Sequence, residues 1–204
     1  TIEDKVVYYY DQDWFRHPFP NQRVFESWYK DFSGVKEVTK EEMAEIRLAS
    51  PVTYRPGTRL VKIPSIPKVY AVEPGGALRW IETEAVAKAL FGDDWAKRVD
   101  DVSEAYFSNY HEGAPLTTPS WPTGTYVRRA SDTAMFFIDG LKKRYVPPSV
   151  LASLRLNDAH VIATSSDLSS FDDAGSITEG DWKYLDASLA EAFQMMLEQL
   201  RMVV

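Results

Sequence analysis

Residues 69–92 read VYAVEPGGALRWIETEAVAKALFG, and this stretch decides the fold. Its apolar start is followed by a Gly-Gly turn, where glycine accepts the positive φ that a tight turn requires. A second run carries Arg79 and Trp80, and Thr83 then opens a segment with apolar residues on one helical face. The stretch therefore predicts a β-hairpin followed by a short amphipathic helix.

The same order of elements occurs three times along the chain. Tyr8, Tyr70 and Phe136 each hold the second place in an opening strand, 62 and then 66 residues apart. A basic residue followed by a ring comes after the turn in every block, as Arg16-His17, Arg79-Trp80 and Arg144-Tyr145. Because self-similarity at a fixed period is typical of repeat architectures, we predict repeats at 1–56, 57–116 and 117–179.

Each block also ends in a similar way. Valines precede a capped helical turn: Val35 and Val38 come before Thr39, and Val99 and Val102 before Ser103. In the third block Val161-Ile162 precedes Ser165, and Thr39 with Glu42 forms a capping-box pattern. Strands reading GTRLVK from Gly57 and GTYVRR from Gly124 lead into the second and third blocks, whereas the first block lacks such a strand.

Residues 180–204 differ from the blocks and predict one long amphipathic helix. Apolar residues recur there at heptad-like steps of three and four. One interpretation is that this helix packs on its own repeats. The other is that it joins a partner chain or a neighbouring domain, through an interface that contains Leu185, Leu189, Phe193, Met196 and Leu200.

These elements together predict an α+β fold. We expect three β-hairpin-plus-helix repeats packed as one unit, either around a pseudo-threefold axis or stacked in a row, followed by the long C-terminal amphipathic helix.

Composition limits the classes of function. The hydrophobic content of 45% indicates a folded globular protein, and the net charge of −7 disfavours nucleic acid as a partner. The chain has no Cys, which excludes disulfides and thiolate ligands and fits exported and cytosolic proteins alike. No apolar run is long enough for a membrane span, and the start at Thr1 without a signal predicts a processed or excised chain.

The sequence predicts no catalytic residue, no cofactor and no metal ligand set. His17, His111 and His160 fall at non-equivalent repeat positions without zinc-binding spacing, and no G-x-S-x-G element is present. Adjacent aspartates suit solvated turns and helix starts better than a glycosidase pair. Calcium, held by loop carboxylates, is the weaker alternative.

The Arg-ring pairs are the candidate positions for binding or packing: Arg16, Arg79, Trp80, Arg144 and Tyr145. Adjacent side chains on a strand point to opposite faces, so Arg79 and Trp80 cannot both line one surface without a bulge. We expect the arginine stem to lie over apolar or aromatic surface. A surface ring that stacks on sugars is the alternative.

The pattern Val-Tyr-x-Val, a glycine turn, Arg before Trp or Tyr, a helix and a GT-x-Leu-Val-Lys strand resembles repeats of bacterial secreted and cell-surface proteins, including those of candidate-phylum bacteria. This resemblance covers roughly residues 5–179 and implies export and surface display or assembly. The stretch MFFIDGLKKRYV is also similar to the opening of a hemopexin-type propeller blade.

From this resemblance and from the lack of a catalytic constellation, we expect a non-enzymatic extracellular or cell-surface module for binding or assembly. One alternative is a glycan or cell-wall recognition domain accessory to a secreted hydrolase. The other is a hemopexin-like propeller that acts as a binding module.

Overall fold

The computed structural model describes residues 6–11, 13–151, 156–165, 168–178 and 181. These residues form a mixed α/β structure with three sheets of three, five and five strands. The strands are β1 Tyr8–Tyr10, β2 Phe15–Pro18, β3 Arg47–Leu48, β4 Leu60–Lys62, β5 Tyr70–Glu73, β6 Ala77–Trp80, β7 Val99–Asp101, β8 His111–Glu112, β9 Tyr126–Arg129, β10 Met135–Asp139, β11 Lys142–Tyr145, β12 Ile162–Thr164 and β13 Asp172–Ser176.

The described helices are short, because each occupies only the stretch between two strands. They are α1 Gln22–Trp28, α2 Lys40–Ala44, α3 Glu84–Phe91, α4 Glu104–Phe107 and α5 Pro148–Leu151. Asn21 caps α1 and Thr83 caps α3 through their side-chain oxygens. The capping box predicted at Thr39 and Glu42 is present at the start of α2.

The second and third sheets have the same topology. Their strand orders are β7-β4-β5-β6-β8 and β12-β9-β10-β11-β13. The three middle strands of each sheet are antiparallel, and the two outer strands run parallel to their neighbours. The helix after the hairpin is therefore a crossover that returns the chain to the far side of the sheet.

The predicted α+β fold of hairpin-plus-helix repeats followed by a long helix is wrong as a description of this structure. Each five-stranded sheet is mixed, since the valine segment after the helix pairs in parallel with the GT strand instead of standing alone. A further outer strand follows, and its residues carry no apolar alternation. The predicted C-terminal helix with Leu185, Leu189, Phe193, Met196 and Leu200 lies outside the described residues.

The GT pairs that open β4 and β9 have a common structural role. Thr58 and Thr125 are buried, and each hydroxyl donates to the carbonyl three residues earlier, at 2.7 Å in both cases. Gly57 has φ +70°, and a Cβ there would lie 2.3 Å from the backbone nitrogen of Thr125. The two GT turns therefore contact each other backbone to backbone, which only glycine permits.

The second sheet lies between the other two. Along β5 the side chains alternate, so that Ala71 joins the core shared with the third sheet while Tyr70 and Val72 join the core shared with the first sheet. Helix α3 contributes Val86 and Leu90 to the former core. The latter core contains the apolar face of α1 and the partly buried side chains of Val7 and Tyr9.

The five-stranded sheets with parallel outer strands differ from the four-stranded blades of a propeller, so the fold gives the hemopexin-like alternative no support. Within the described ranges, no helix has the length and apolar character needed to cross a membrane.

Candidate binding surface

The arginine of each Arg-ring pair lies on the second strand of its hairpin. Arg79 donates to Glu73 at 3.1 Å and to the carbonyls of Ala114 and Pro115, in the segment that follows β8. Arg144 donates to the carbonyl of Ser176 at 3.5 Å and to Asp181 at 3.1 Å. In the second and third sheets, this arginine thus ties the hairpin to the chain at the neighbouring outer strand.

Arg16 is placed differently, because its guanidinium lies over the ring of Tyr8 at 5.2 Å. Its ring neighbour His17 contacts Asp11 at 2.9 Å and the carbonyl of Ser50 at 2.8 Å. Burial alone would raise the pKa of Asp11, but its hydrogen bonds to His17 and to the Phe15 N–H hold that pKa below its usual value.

The rings that follow the other two arginines are in separate sheets. Trp80 packs partly against the core between the first and second sheets, and the ammonium of Lys68 lies 4.7 Å from its ring. Tyr145 is exposed, and its ring contacts that of Phe136. The five predicted positions therefore repeat from sheet to sheet and stay distributed over three sheets.

The charged interior is centred on Asp100, on β7. Its side chain is almost fully buried and accepts two 2.8 Å hydrogen bonds from Arg59 and one from Arg23. Burial alone would raise the pKa of Asp100, but the hydrogen bonds and charges of Arg59 and Arg23 hold it below the usual value. Burial and the neighbouring Asp100 carboxylate raise the pKa of Tyr54 strongly.

Arg55 and His160 form two further polar contacts, which connect the described residues up to 56 to the third sheet. The Arg55 guanidinium donates to the carbonyl of Trp28 at 3.1 Å and lies 5.6 Å from the rings of Trp28 and Tyr126. The Nε2 of His160 lies 3.0 Å from the carbonyl of Glu26. These interior polar groups connect one segment to another, and each is occupied in holding the packing.

Sequence reasoning missed this network. As one of two adjacent aspartates, Asp100 is predicted from the sequence to lie on a solvated turn or helix start with Asp101, but only Asp101 is exposed. The alternation of β7 gives the physical reason, because the strand directs Asp100 and Asp101 to opposite faces. Asp172 and Asp173 also lie in a strand, the outer strand β13, which pairs with β11, and both side chains are exposed.

In the part of the chain that the structure describes, no group of three or more His, Cys, Asp or Glu side chains could hold a metal ion. A cavity of about 170 Å³ lies between α1 and the β7–α4 segment, with Asn21, Asp101 and Tyr110 in its wall. A second, more open cleft of about 450 Å³ lies between Lys30 and Leu156. The second cleft is lined by the polar side chains of Lys30, Asp31, Ser33 and Asp158 beside apolar residues.

The exposed apolar surface is concentrated on what we call the first unit, the described residues up to 56. Ten large apolar side chains are exposed within the described ranges, and six of them belong to the first unit: Val6, Trp14, Phe32, Val35, Val38 and Leu48. Single exposed apolar residues are ordinary, so it is their number within one unit that makes the first unit the candidate interaction surface.

Trp14 adds a local peculiarity to the first unit. It lies in the turn between β1 and β2 with φ +66°, a region that non-glycine residues seldom occupy. Its ring contacts Tyr10 at 5.8 Å and remains half exposed. The hairpin therefore presents an aromatic pair at its tip, at the cost of backbone strain.

Comparison of this chain with protein-family models, curated proteins and solved structures finds no match.

Proposed function

We propose that this chain is a non-enzymatic module that binds or assembles with other protein modules outside the cell or on its surface, and that the first unit is its contact surface. The observation that carries the proposal is the concentration of exposed apolar side chains on that unit. The extracellular setting rests on the resemblance of the blocks to repeats of secreted and cell-surface proteins.

The interior supports a structural role for the rest of the chain. Asp100, Arg55 and His160 are engaged in contacts between segments. Such contacts hold the three sheets in register with one another, so that the first unit is presented on a fixed base.

Self-association tests the proposal. We expect the mass of the wild-type chain, measured by light scattering, to rise with concentration. The double variant Trp14→Ser/Leu48→Ser removes two exposed apolar side chains of the first unit and should stay monomeric. Leu141→Ser is the matched control, since Leu141 is 75% exposed and Leu48 61%, but Leu141 lies on the third sheet's hairpin turn. A monomeric wild type, or equal masses for all variants, would contradict assembly through this surface.

Glycan recognition is the second candidate, and the exposed, strained Trp14 beside Tyr10 favours it. Tyrosine and tryptophan combine an apolar face with a polar edge, which suits a ring that meets a sugar in water. A panel of soluble polysaccharides should then quench the tryptophan fluorescence of the wild type and leave that of Trp14→Ala unchanged. A flat response across the panel would eliminate this candidate.

A further inference from the structure

The outer edge of β1 is the feature from which we argue. The Phe19 N–H donates to the Val7 carbonyl at 2.9 Å, and the Asp11 N–H donates to the Phe15 carbonyl at 3.0 Å. Val7 and Asp11 therefore direct their backbone groups toward β2. Because successive residues of a strand direct these groups to opposite sides, those of Tyr8 and Tyr10 point away from β2.

In the other two sheets the same side of the hairpin carries a strand. Val72 and Ile138 hold the place of Tyr10, and their carbonyls accept hydrogen bonds from Gly57 at 3.0 Å and Gly124 at 2.9 Å. These glycines open the segments that become β4 and β9. Among the described residues, β1 pairs with β2 alone, so nothing corresponds to β4 or β9 in the first sheet.

The first and second sheets also differ in the valine segment that follows the helix. In the second sheet, β7 pairs in parallel with β4, and Val102 just after it is 6% exposed. The corresponding Val35 and Val38 of the first unit are 40% and 36% exposed, and residues 35–38 belong to no strand. Among the described residues, no central strand lies between this segment and β1.

We propose that the edge of β1 accepts an antiparallel β-strand from a polypeptide segment outside residues 1–204, in which a Gly-Thr turn leads to an apolar residue, Val and a basic residue, as in Leu60-Val61-Lys62 of β4 and Tyr126-Val127-Arg128 of β9. The incoming strand completes the order seen in the other sheets, with β1 on one side and residues 35–38 on the other. Strand addition to an exposed edge is an established way for proteins to bind extended segments.

The register of β4 against β5 indicates which residue types the incoming strand needs at two positions. Val61 lies opposite Tyr70, which corresponds to Tyr8, so a β-branched residue at this place packs against the Tyr8 ring. Lys62 pairs with Asp101 at 3.2 Å, and the exposed Glu37 holds the place of Asp101 in the first unit. A basic residue at the end of the strand therefore meets Glu37.

A folded copy of this chain does not supply the strand from its own second or third sheet. There β4 and β9 are central strands, hydrogen-bonded on both sides. The strand must therefore come from a segment of this pattern that is not already hydrogen-bonded within another β-sheet. The inference deepens the proposed function, because it names an extended strand as the partner and rests on that function only in assigning the contact to assembly.

A synthetic peptide tests the inference. The peptide GTRLVKIP has the sequence of residues 57–64 and carries a fluorescent label. It should bind the full-length chain, so that the fluorescence anisotropy of the label rises to a plateau as the protein concentration increases. Methylation of the peptide nitrogen at the Val61 position removes an N–H directed at β1, and we expect binding at least ~10-fold weaker. A scrambled peptide is the control. No saturable binding, or equal binding of the three peptides, would overturn the proposal.

Exchanging the charges of Glu37 and of the peptide's Lys62 position tests whether the strand lies between β1 and residues 35–38. Glu37→Lys should weaken binding of the peptide a few-fold, and a peptide with Glu at the Lys62 position should recover it, as expected of an exposed ion pair. Glu41→Lys changes another exposed glutamate, on α2, and should leave binding of the peptide unchanged.

The chain's own residues 1–5 are the competing occupant. If the peptide binds only after these five residues are replaced by Gly and Ser, they fill the edge themselves and the inference is overturned. The proposed function fails separately, since a chain that ignores the peptide can still gain mass with concentration through Trp14 and Leu48.

Discussion

Removing the charge of Asp100 should destabilise the protein far more than removing that of its neighbour Asp101. The Asp100 side chain is 2% exposed and accepts two hydrogen bonds from Arg59, whereas the Asp101 side chain is 60% exposed and pairs with Lys62. Both residues lie on β7, so the same Asp→Asn substitution at each compares a buried with an exposed ion pair in one strand.

The expected difference follows from burial. Breaking a buried ion pair on one side costs about 3–5 kcal/mol, because the remaining charge is left without its partner. We expect about 3 kcal/mol for Asp100→Asn, since Arg59 keeps its hydrogen bond to the Lys97 carbonyl and the new amide side chain keeps one acceptor oxygen. An exposed pair contributes about 0–1 kcal/mol, which sets the expectation for Asp101→Asn.

Urea unfolding followed by tryptophan fluorescence measures both variants. With a slope of about 2 kcal/mol per molar urea, the midpoint should fall by about 1.5 M for Asp100→Asn and by less than about 0.5 M for Asp101→Asn. The folded-state pKa of Asp100 is lowered, so its contribution is present above the unfolded value of 3.8 and is lost as the pH falls through the folded value. Equal midpoints for the two variants at neutral pH would refute the reasoning.

Two further predictions concern the contacts between sheets. Gly57→Ala should lower the free energy of unfolding by at least about 3 kcal/mol, because the new Cβ would lie 2.3 Å from the Thr125 nitrogen. Gly75→Ala has a similar φ but open space around it, so it should lower the free energy of unfolding by about 1 kcal/mol. Thermal unfolding compares the two variants, and similar losses of stability would show that the GT turns do not touch. Burial lowers the pKa of His160 against the hydrogen bond to the Glu26 carbonyl, and the charges of Arg59, Arg98 and Arg55 lower it further. The unfolded chain therefore binds the proton more readily, so stability should be full above the unfolded value of 6.5 and decline as the pH falls below it. His160→Gln should reduce this decline in urea titrations between pH 7 and 5, and an unchanged decline would assign it to another group.

Local patterns predicted the hairpin and helix of residues 69–92 because the information there is local. The Gly75-Gly76 turn joins β5 to β6, and the Thr83 side chain caps α3. Both features depend on contacts within a few residues.

Parallel pairing could not be predicted in this way, since it joins segments about 40 residues apart. Val99 pairs with Leu60, and nothing near Val99 distinguishes a lone extended segment from an outer strand. The strand β8 has only two residues, His111 and Glu112, both exposed and polar. Such a strand forms because β6 offers it an edge, and its own sequence gives no signal.

The candidate surface was missed for a related reason. Repeat alignment directed attention to positions that all blocks share, such as Arg16, Arg79 and Arg144, and the structure places these at contacts within each sheet. Trp14 and Leu48, in contrast, are exposed residues of the first unit that hold no place in the pattern shared by the blocks. In a repeat protein, the departures from the pattern mark the ends of the packing.

The residues of β1 agree with this view of the first unit as an end. The corresponding strands β5 and β10 carry buried side chains on both faces, with Val72 and Ile138 fully enclosed. Strand β1 reads Tyr-Tyr-Tyr, and all three residues are half-buried. Tyrosine tolerates water at its hydroxyl while its ring remains available for apolar contact, and it is enriched where proteins meet. The first sheet thus keeps the hairpin of its neighbours but is built from residues that are stable in water and ready to be covered, as an edge that receives a partner strand must be.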